Sequence, residues 1–237
     1  AGSGRIDLTG KPLGEALYTR VALEKDNGPY IAVCPVNHTG DRHSPSAWKM
    51  TNAMPSWSWT GCEGQKASIE VYARAARVEL WLNGRIIGRK ALKNDCFAKF
   101  SVTYEPGKLE AVSYDARGCE LGRCNLTTAG QQTQITAGPE QSSVQAGHLC
   151  YIRLRYTDEK GITKPLARGN IKVEVDGGTL VGLGNACPYH ECSYLDCVAD
   201  TYYGEALAIV RAGEGNSLTL AADDGMHSTA VTVPVTR

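Results

Sequence analysis

The chain has 237 residues, and its 25 Lys and Arg balance its 25 Asp and Glu, so its formal net charge is zero. Hydrophobic residues make up 42% and charged residues 21%, which is typical of a soluble globular protein long enough for two domains of roughly 100 residues. Without a net charge or a basic stripe, nucleic acid and anionic lipid are not expected partners. The apolar runs are also far shorter than the roughly 20 residues of a membrane span.

The first predicted element is a helix over residues 12–24, within "KPLGEALYTRVALEK". Its apolar stripe is centred on Leu13, Leu17 and Val21, the i, i+4 spacing of one helix face. Residues 25–65 are rich in turn-forming types and read as irregular chain. Because one helix and a long loop cannot bury a core, residues 1–65 are predicted to be the tail and linker of another domain.

Residues 66–130 form the second region, in which short runs alternate apolar and polar residues between turn signals. In "VELWLNGRIIGRK", Asn83-Gly84 between alternating hydrophobics predicts a tight hairpin. Val78, Leu80 and Leu82 then face the core, and Trp81 points to the opposite side. Many short strands at even spacing predict a β-sandwich.

Residues 131–237 repeat this pattern in "HLCYIRLRYTDEKG", "NIKVEVDGG", "EALAIVRAG" and "STAVTVPV", and predict a second β-sandwich. The fold class expected for the whole chain is therefore all-β: two tandem immunoglobulin-like β-sandwiches with a short N-terminal helical remnant. The start of the chain lacks the basic and apolar segments of a signal peptide.

Two long strings carry a family resemblance. "PSWSWTGCEG", "VYARAARVELWLNGRIIGRK" and "VTYEPGKLEAVSYDARG" resemble the immunoglobulin-like domain that follows the catalytic barrel in bacterial β-galactosidases of glycoside hydrolase family 2. "YIRLRYTDEKGITKPLARGNIKVEVDGGTLVGLGNA" is similar to the next C-terminal domain of these enzymes. "GRIDLTGKPLGEALYTRVAL" resembles the end of their barrel.

The resemblance implies an accessory C-terminal region whose partner is the missing catalytic barrel, in a bacterial enzyme located in the cytoplasm or periplasm. Such enzymes use two carboxyl groups roughly 5 Å apart, one as acid and one as nucleophile. In the family both precede the part that this chain matches, so we assign no catalytic residue and no cofactor. The chain alone is expected to be inactive, and its parent to hydrolyse terminal β-galactosides or related glycosides.

Trp57, Trp59 and Trp81 are candidate substrate-binding residues, because an indole face can stack on a sugar ring. The alternative for Trp57 and Trp59 is a structural role, in which each ring is buried and its N–H finds an acceptor. Trp81 would cover a neighbouring domain or contact carbohydrate.

The string "CPYHECSYLDC" places Cys187, His190, Cys192 and Cys197 close together, and these are zinc-ligand types. Their spacing matches no common zinc motif, so a loop of free thiols is the favoured interpretation. Two rivals to the accessory function stay open: an autonomous carbohydrate-binding module, and a structural cell-surface module.

Overall fold

A computed structural model of the chain describes residues 5–40, 50–93, 95–189 and 192–237. The chain divides into two compact units, the first ending at Thr128 and the second beginning at Ala129. None of the helices in the described residues is long and apolar enough to cross a bilayer.

In the part that the structure describes, unit 1 contains one α-helix, a short 3-10 helix (Val36–His38) and two antiparallel sheets. Its elements are α1 (Gly14–Ala22), β1 (Tyr30–Val33), β2 (Lys66–Tyr72), β3 (Arg77–Leu82), β4 (Arg85–Ala91), β5 (Phe97–Thr103), β6 (Lys108–Tyr114) and β7 (Glu120–Thr127). The sheet orders are β1-β2-β5 and β4-β3-β6-β7. Side chains from both sheets form the buried core, including Ile69, Val71, Leu80, Phe100 and Leu109.

Unit 2 is a sandwich of a four-stranded and a five-stranded sheet. Its strands are β8 (Gln134–Pro139), β9 (Val144–Gln145), β10 (Leu149–Thr157), β11 (Asn170–Asp176), β12 (Gly178–Gly184), β13 (Val198–Asp200), β14 (Glu205–Ala212), β15 (Ser217–Asp223) and β16 (Ser228–Thr236). The sheet orders are β12-β14-β10-β8 and β13-β11-β15-β16-β9. One continuous core joins the two sheets. The predicted all-β fold with two tandem sandwiches and a short N-terminal helix is confirmed.

The β3-β4 hairpin forms where Asn83-Gly84 predicts it, with φ of 50° and 78° at these two residues. The Asn83 side chain also joins a second turn, because its Oδ1 accepts the Lys108 N–H at 2.9 Å and its Nδ2 donates to the Pro106 carbonyl at 3.0 Å. The hairpin is therefore fixed by both its turn chemistry and the neighbouring β5-β6 connection. Val78 and Leu80 are buried in the core, as the alternation predicts.

Helix α1 lies against the outer side of the three-stranded sheet of unit 1. Val21 is fully buried there beside Tyr72 and Ala32, and Leu17 packs against the same cluster. The apolar stripe thus packs on the sandwich of its own chain. The helix is shorter than the predicted 12–24: it begins after Leu13 and ends at Ala22, and Glu24, with φ of 57°, no longer has a helical backbone.

Strand β1 lies inside the segment that the sequence pattern assigned to irregular chain, and there that assignment was wrong. The strand has four residues, too few for alternation to be recognised, and Pro29 and Pro35 flank it. Its order comes from antiparallel pairing with β2, in which Tyr30 lies opposite Tyr72.

A buried aspartate, Asp224, holds the turn between β15 and β16. Its Oδ2 accepts the Tyr156 hydroxyl at 2.7 Å, and its Oδ1 accepts the backbone N–H groups of Met226 at 2.9 Å and His227 at 2.7 Å. Burial opposes ionisation of Asp224, but these donors outweigh it and hold the pKa of the carboxyl well below its usual range. The same burial, together with Asp224, raises the pKa of Tyr156.

Asp224→Asn should therefore destabilise unit 2 by about 1–3 kcal/mol at neutral pH, since the Tyr156 hydroxyl and the two backbone N–H groups lose a charged acceptor. Because the carboxyl has a lower pKa in the folded state than in the unfolded state, its contribution is complete above roughly pH 5. The contribution falls as the pH drops below about 4, so the difference between wild type and variant should shrink there.

Urea unfolding followed by far-ultraviolet circular dichroism between pH 7 and pH 2.5 measures this difference. Tryptophan emission is an internal reference for unit 1, which holds all four tryptophans of the sequence. The exposed Asp176 is the matched control, and Asp176→Asn should have little effect. A destabilisation by Asp224→Asn that stays constant with pH would contradict the charge-based explanation.

Candidate functional sites

Trp57 and Trp59 are both 0% exposed and lie inside unit 1. The Trp57 Nε1 donates to the Glu105 carbonyl at 3.1 Å, and the Trp57 ring meets Tyr104 edge-on at 4.8 Å between centroids. The Trp59 Nε1 donates to the Ser56 carbonyl at 3.3 Å. Neither indole has an exposed face on which a sugar could stack, and the burial fits the structural alternative.

Tyr104 ties these two tryptophans together. Its hydroxyl oxygen accepts the Trp59 backbone N–H at 2.9 Å, and the hydroxyl is 3.4 Å from the Trp57 carbonyl oxygen. Thr128 donates its hydroxyl to the same carbonyl at 2.7 Å. Burial raises the pKa of the Tyr104 hydroxyl, which keeps it neutral as this network requires. The segment Trp57–Trp59 therefore joins the end of β5 to the residue that follows β7.

Trp81 lies on the outer face of the sheet β4-β3-β6-β7 and is half-buried. Its Nε1 is buried and has no hydrogen-bond partner, in contrast to Trp57 and Trp59. Neighbouring Glu79 accepts Arg89 Nε at 2.9 Å and the Tyr114 hydroxyl at 3.2 Å. This outer face thus carries an indole beside a carboxylate that is held by an arginine and a tyrosine. Contact of Trp81 with carbohydrate or with another domain stays a prediction.

Two carboxylates, Glu70 and Glu15, are buried where α1 meets the sheet β1-β2-β5. Glu70 accepts the Tyr72 hydroxyl at 2.6 Å and the Thr51 hydroxyl at 3.0 Å. Glu15 accepts the backbone N–H groups of Met50 and, at 3.1 Å, Thr51. Burial and then Glu70 raise the pKa of Tyr72, so its hydroxyl remains a donor. These acids bind chain segments together, whereas a glycosidase pair must flank an accessible glycosidic bond.

The three cysteines of the candidate zinc cluster differ in exposure. Cys187 is half-buried, Cys192 and Cys197 are exposed, and all nine cysteines of the chain, each within the described residues, are free thiols. His190 lies outside the described residues. Across residues 5–40, 50–93, 95–189 and 192–237, no three His, Cys, Asp or Glu side chains are arranged to hold a metal ion.

A set of exposed apolar side chains beside α1 was not singled out by the sequence pattern. Leu8 is 70% exposed and Met50 is 72% exposed, and Ile6 and Leu23 are also exposed. Ile6 pairs with Pro12 just before the helix, and Met50 contacts Glu15 in its first turn. We call Ile6, Leu8, Leu23 and Met50 the helix-end surface. Sequence periodicity missed it because these residues lie outside the helix repeat.

Two family models match parts of the chain, one in each unit. Residues 64–122 match a domain of unknown function, DUF4982, and residues 134–232 match the glycoside hydrolase family 2 C-terminal domain 5. Unit 2 therefore matches a C-terminal domain of glycoside hydrolase family 2 over most of its length, and part of unit 1 matches a domain of unknown function. The more specific resemblance to β-galactosidases has no support among these matches.

Solved structures extend the similarity over nearly the whole chain. A glycosyl hydrolase family 2 member from Bacteroides cellulosilyticus is 28% identical with a TM-score of 0.88, over 99% of this chain and 32% of that one. A beta-glycosidase from Bacteroides vulgatus, 22% identical with a TM-score of 0.78 over 98% of this chain and 28% of that one, shares the fold. A putative beta-glucuronidase of Formosa agariphila is 33% identical over 90 residues, 36% of this chain and 9% of that protein. The chain therefore spans about a third or less of the length of each of these proteins.

The different settings of Trp57 and Trp81 can be tested with conservative variants. Trp57→Phe leaves the Glu105 carbonyl without its donor, whereas Trp81→Phe removes an N–H that already lacks an acceptor. We expect Trp57→Phe to destabilise unit 1 by about 1–3 kcal/mol more than Trp81→Phe. Urea unfolding followed by tryptophan emission measures both, and equal destabilisation would contradict the assigned roles.

Proposed function

We propose that this chain is the non-catalytic C-terminal scaffold of a longer family 2 glycoside hydrolase, and that unit 1 packs against the catalytic barrel. The observation that carries the proposal is the helix-end surface beside α1, which the sandwich leaves exposed. The family matches support it, because related solved chains are about three times as long as this one.

The helix-end surface suits a domain contact for two reasons. Ile6, Leu8 and Met50 lie near the N-terminal end of α1, and exposed apolar side chains grouped in this way are characteristic of surfaces that another protein part covers. Ile6 and Leu8 also lie in residues 5–13, which the 2.9 Å hydrogen bond from the Leu13 N–H to the Arg5 carbonyl holds beside the helix. A domain joined upstream of this segment would meet these side chains first.

The catalytic carboxylates belong, in this proposal, to the barrel. Glu15, Glu70 and Glu79, the acids that are buried in the described residues of unit 1, are committed to hydrogen bonds within the chain. For the parent, terminal β-galactosides are the substrate class that the family resemblance in the sequence favours. Terminal β-glucuronides are the second candidate, favoured by the name of the Formosa agariphila relative.

An autonomous carbohydrate-binding module and a structural cell-surface module remain rival functions. The first requires saturable glycan binding by the chain itself that is lost in Trp81→Ala. The second requires an anchor signal or further repeats, and no barrel, in the reading frame that surrounds this sequence. An upstream barrel that carries the two catalytic glutamates would favour the scaffold over the cell-surface module.

The activity test compares this chain with its full-length parent. The chain should release no p-nitrophenol from p-nitrophenyl β-galactoside or β-glucuronide between pH 4 and pH 8, and the parent should cleave one of them. The favoured substrate then decides between the two specificities. Turnover by the chain alone that is lost on mutating one of its own carboxylates would overturn the scaffold proposal.

The docking test places a carboxylate on the apolar helix-end surface. Leu8→Asp and Met50→Asp should each weaken association of the chain with the separately purified upstream region at least tenfold, because a carboxylate would be buried in an apolar contact. Met226→Asp is the matched control, since Met226 is 85% exposed and belongs to unit 2. Sedimentation velocity measures the association, and an equal effect of all three variants would exclude docking through this surface.

A further inference from the structure

Tyr194, in the cysteine-rich loop between β12 and β13, stands on the edge strand of the four-stranded sheet of unit 2. Its carbonyl accepts the Leu183 N–H at 2.8 Å, which holds the loop along β12. A Cβ on Gly184 would lie 2.2 Å from Cδ1 and 2.4 Å from Cε1 of the tyrosine ring. Only glycine leaves room for this edge of the ring, and Tyr194 remains 48% exposed.

The ring stands on the outer face of the sheet. Leu183 is buried in the core, so its neighbour Gly184 faces outward. Gly184 lies opposite Leu207 of β14, whose neighbours Ala206 and Ala208 are also core residues. Leu207 therefore faces outward beside Tyr194. Its aliphatic side chain lies on the sheet next to the tyrosine ring, whose edge points towards Gly184.

Charged side chains continue this face on the next strand, where Arg153 of β10 lies opposite Leu207. Arg153 has a side chain only 9% exposed, and its Nη2 is 2.8 Å from Glu140 Oε1. Glu205 lies 3.8 Å from Arg153 and 3.6 Å from Arg155. Two arginines are thus balanced by two glutamates, and the cluster has no net charge.

The face is also open at its far side. Gly138 of β8 lies opposite Arg153, and nothing lies within 4 Å of where its Cβ would be. Neighbouring strands are about 4.8 Å apart, so the tyrosine ring on β12 and the arginines on β10 are roughly 10 Å apart across two strand intervals. This span is comparable to two linked pyranose rings.

We propose that this outer face of unit 2 binds a neutral oligosaccharide. A pyranose ring stacks its apolar C–H groups on Tyr194, and the sugars that follow it direct hydroxyl groups to Arg155 and Glu140, which are both partly exposed. The paired charges act as fixed hydrogen-bond donors and acceptors, which suits hydroxyl groups, whereas an anionic polymer would find no excess positive charge. The choice of a glycan as ligand rests on the proposed function.

Isothermal titration calorimetry of the whole chain tests the proposal with β-1,4-galactotetraose, cellotetraose and, as the anionic counterpart, trigalacturonate. We expect saturable binding of at least one neutral tetrasaccharide and a loss of affinity of at least tenfold in Tyr194→Ala. Tyr194→Phe should keep the affinity within about threefold, because the ring and not the hydroxyl makes the stacking contact.

Two further variants separate ring stacking from other causes. Gly184→Ala should weaken binding as Tyr194→Ala does, because the new methyl group displaces an unaltered ring. Trp81→Ala, in unit 1, should leave the affinity unchanged. Circular dichroism and thermal unfolding confirm that each variant is folded.

Several results would overturn the site. They are no binding of either neutral sugar by the wild type, binding of trigalacturonate alone, or a loss of binding in Trp81→Ala but not in Tyr194→Ala. The test is independent of the activity of the parent, so a failed scaffold proposal and a failed glycan site give different outcomes.

Discussion

The packing of α1 on the outer side of the three-stranded sheet is the contact on which the organisation of unit 1 depends. It buries Val21 against Tyr72 and commits Glu70 to the Tyr72 hydroxyl. Since the apolar stripe of the helix is used in this way, it is unavailable to any other domain. What unit 1 offers outward is the set of apolar residues at the ends of the helix, with Leu8 and Met50 the most exposed.

The hairpin at Asn83-Gly84 and the alternating strands were predictable because their determinants are local. A turn that requires positive φ at two adjacent residues and a period of two can be read from a few letters. Strand β1 could not be predicted in this way, because it has four residues and its partner β2 begins more than thirty positions later. Its formation depends on long-range pairing, which a pattern along the chain does not contain.

The same distinction separates the candidate sites. The sequence identifies Trp57 and Trp59 as notable, but their burial depends on Tyr104 and Glu105, which follow more than forty positions later. The loop of residues 187–197 attracted attention for its sulfur and imidazole groups. The contact on which the proposed glycan site rests is instead the one between Tyr194 and Gly184. The residue types in the loop do not predict this contact.

Each of the two units carries ion pairs on an outer face of its own sheets. Glu79 with Arg89 in unit 1, and Arg153 with Glu140 in unit 2, are ion pairs on outer sheet faces. Such pairs contribute little stability, but they leave a surface that attracts neither anions nor cations over a distance. Because the chain has zero net charge and its charges on these faces form ion pairs, we expect recognition to depend on shape and apolar contact. Within the described residues, the helix-end surface and the Tyr194 face are two places that present apolar groups in this way, so binding by this chain should change little with ionic strength.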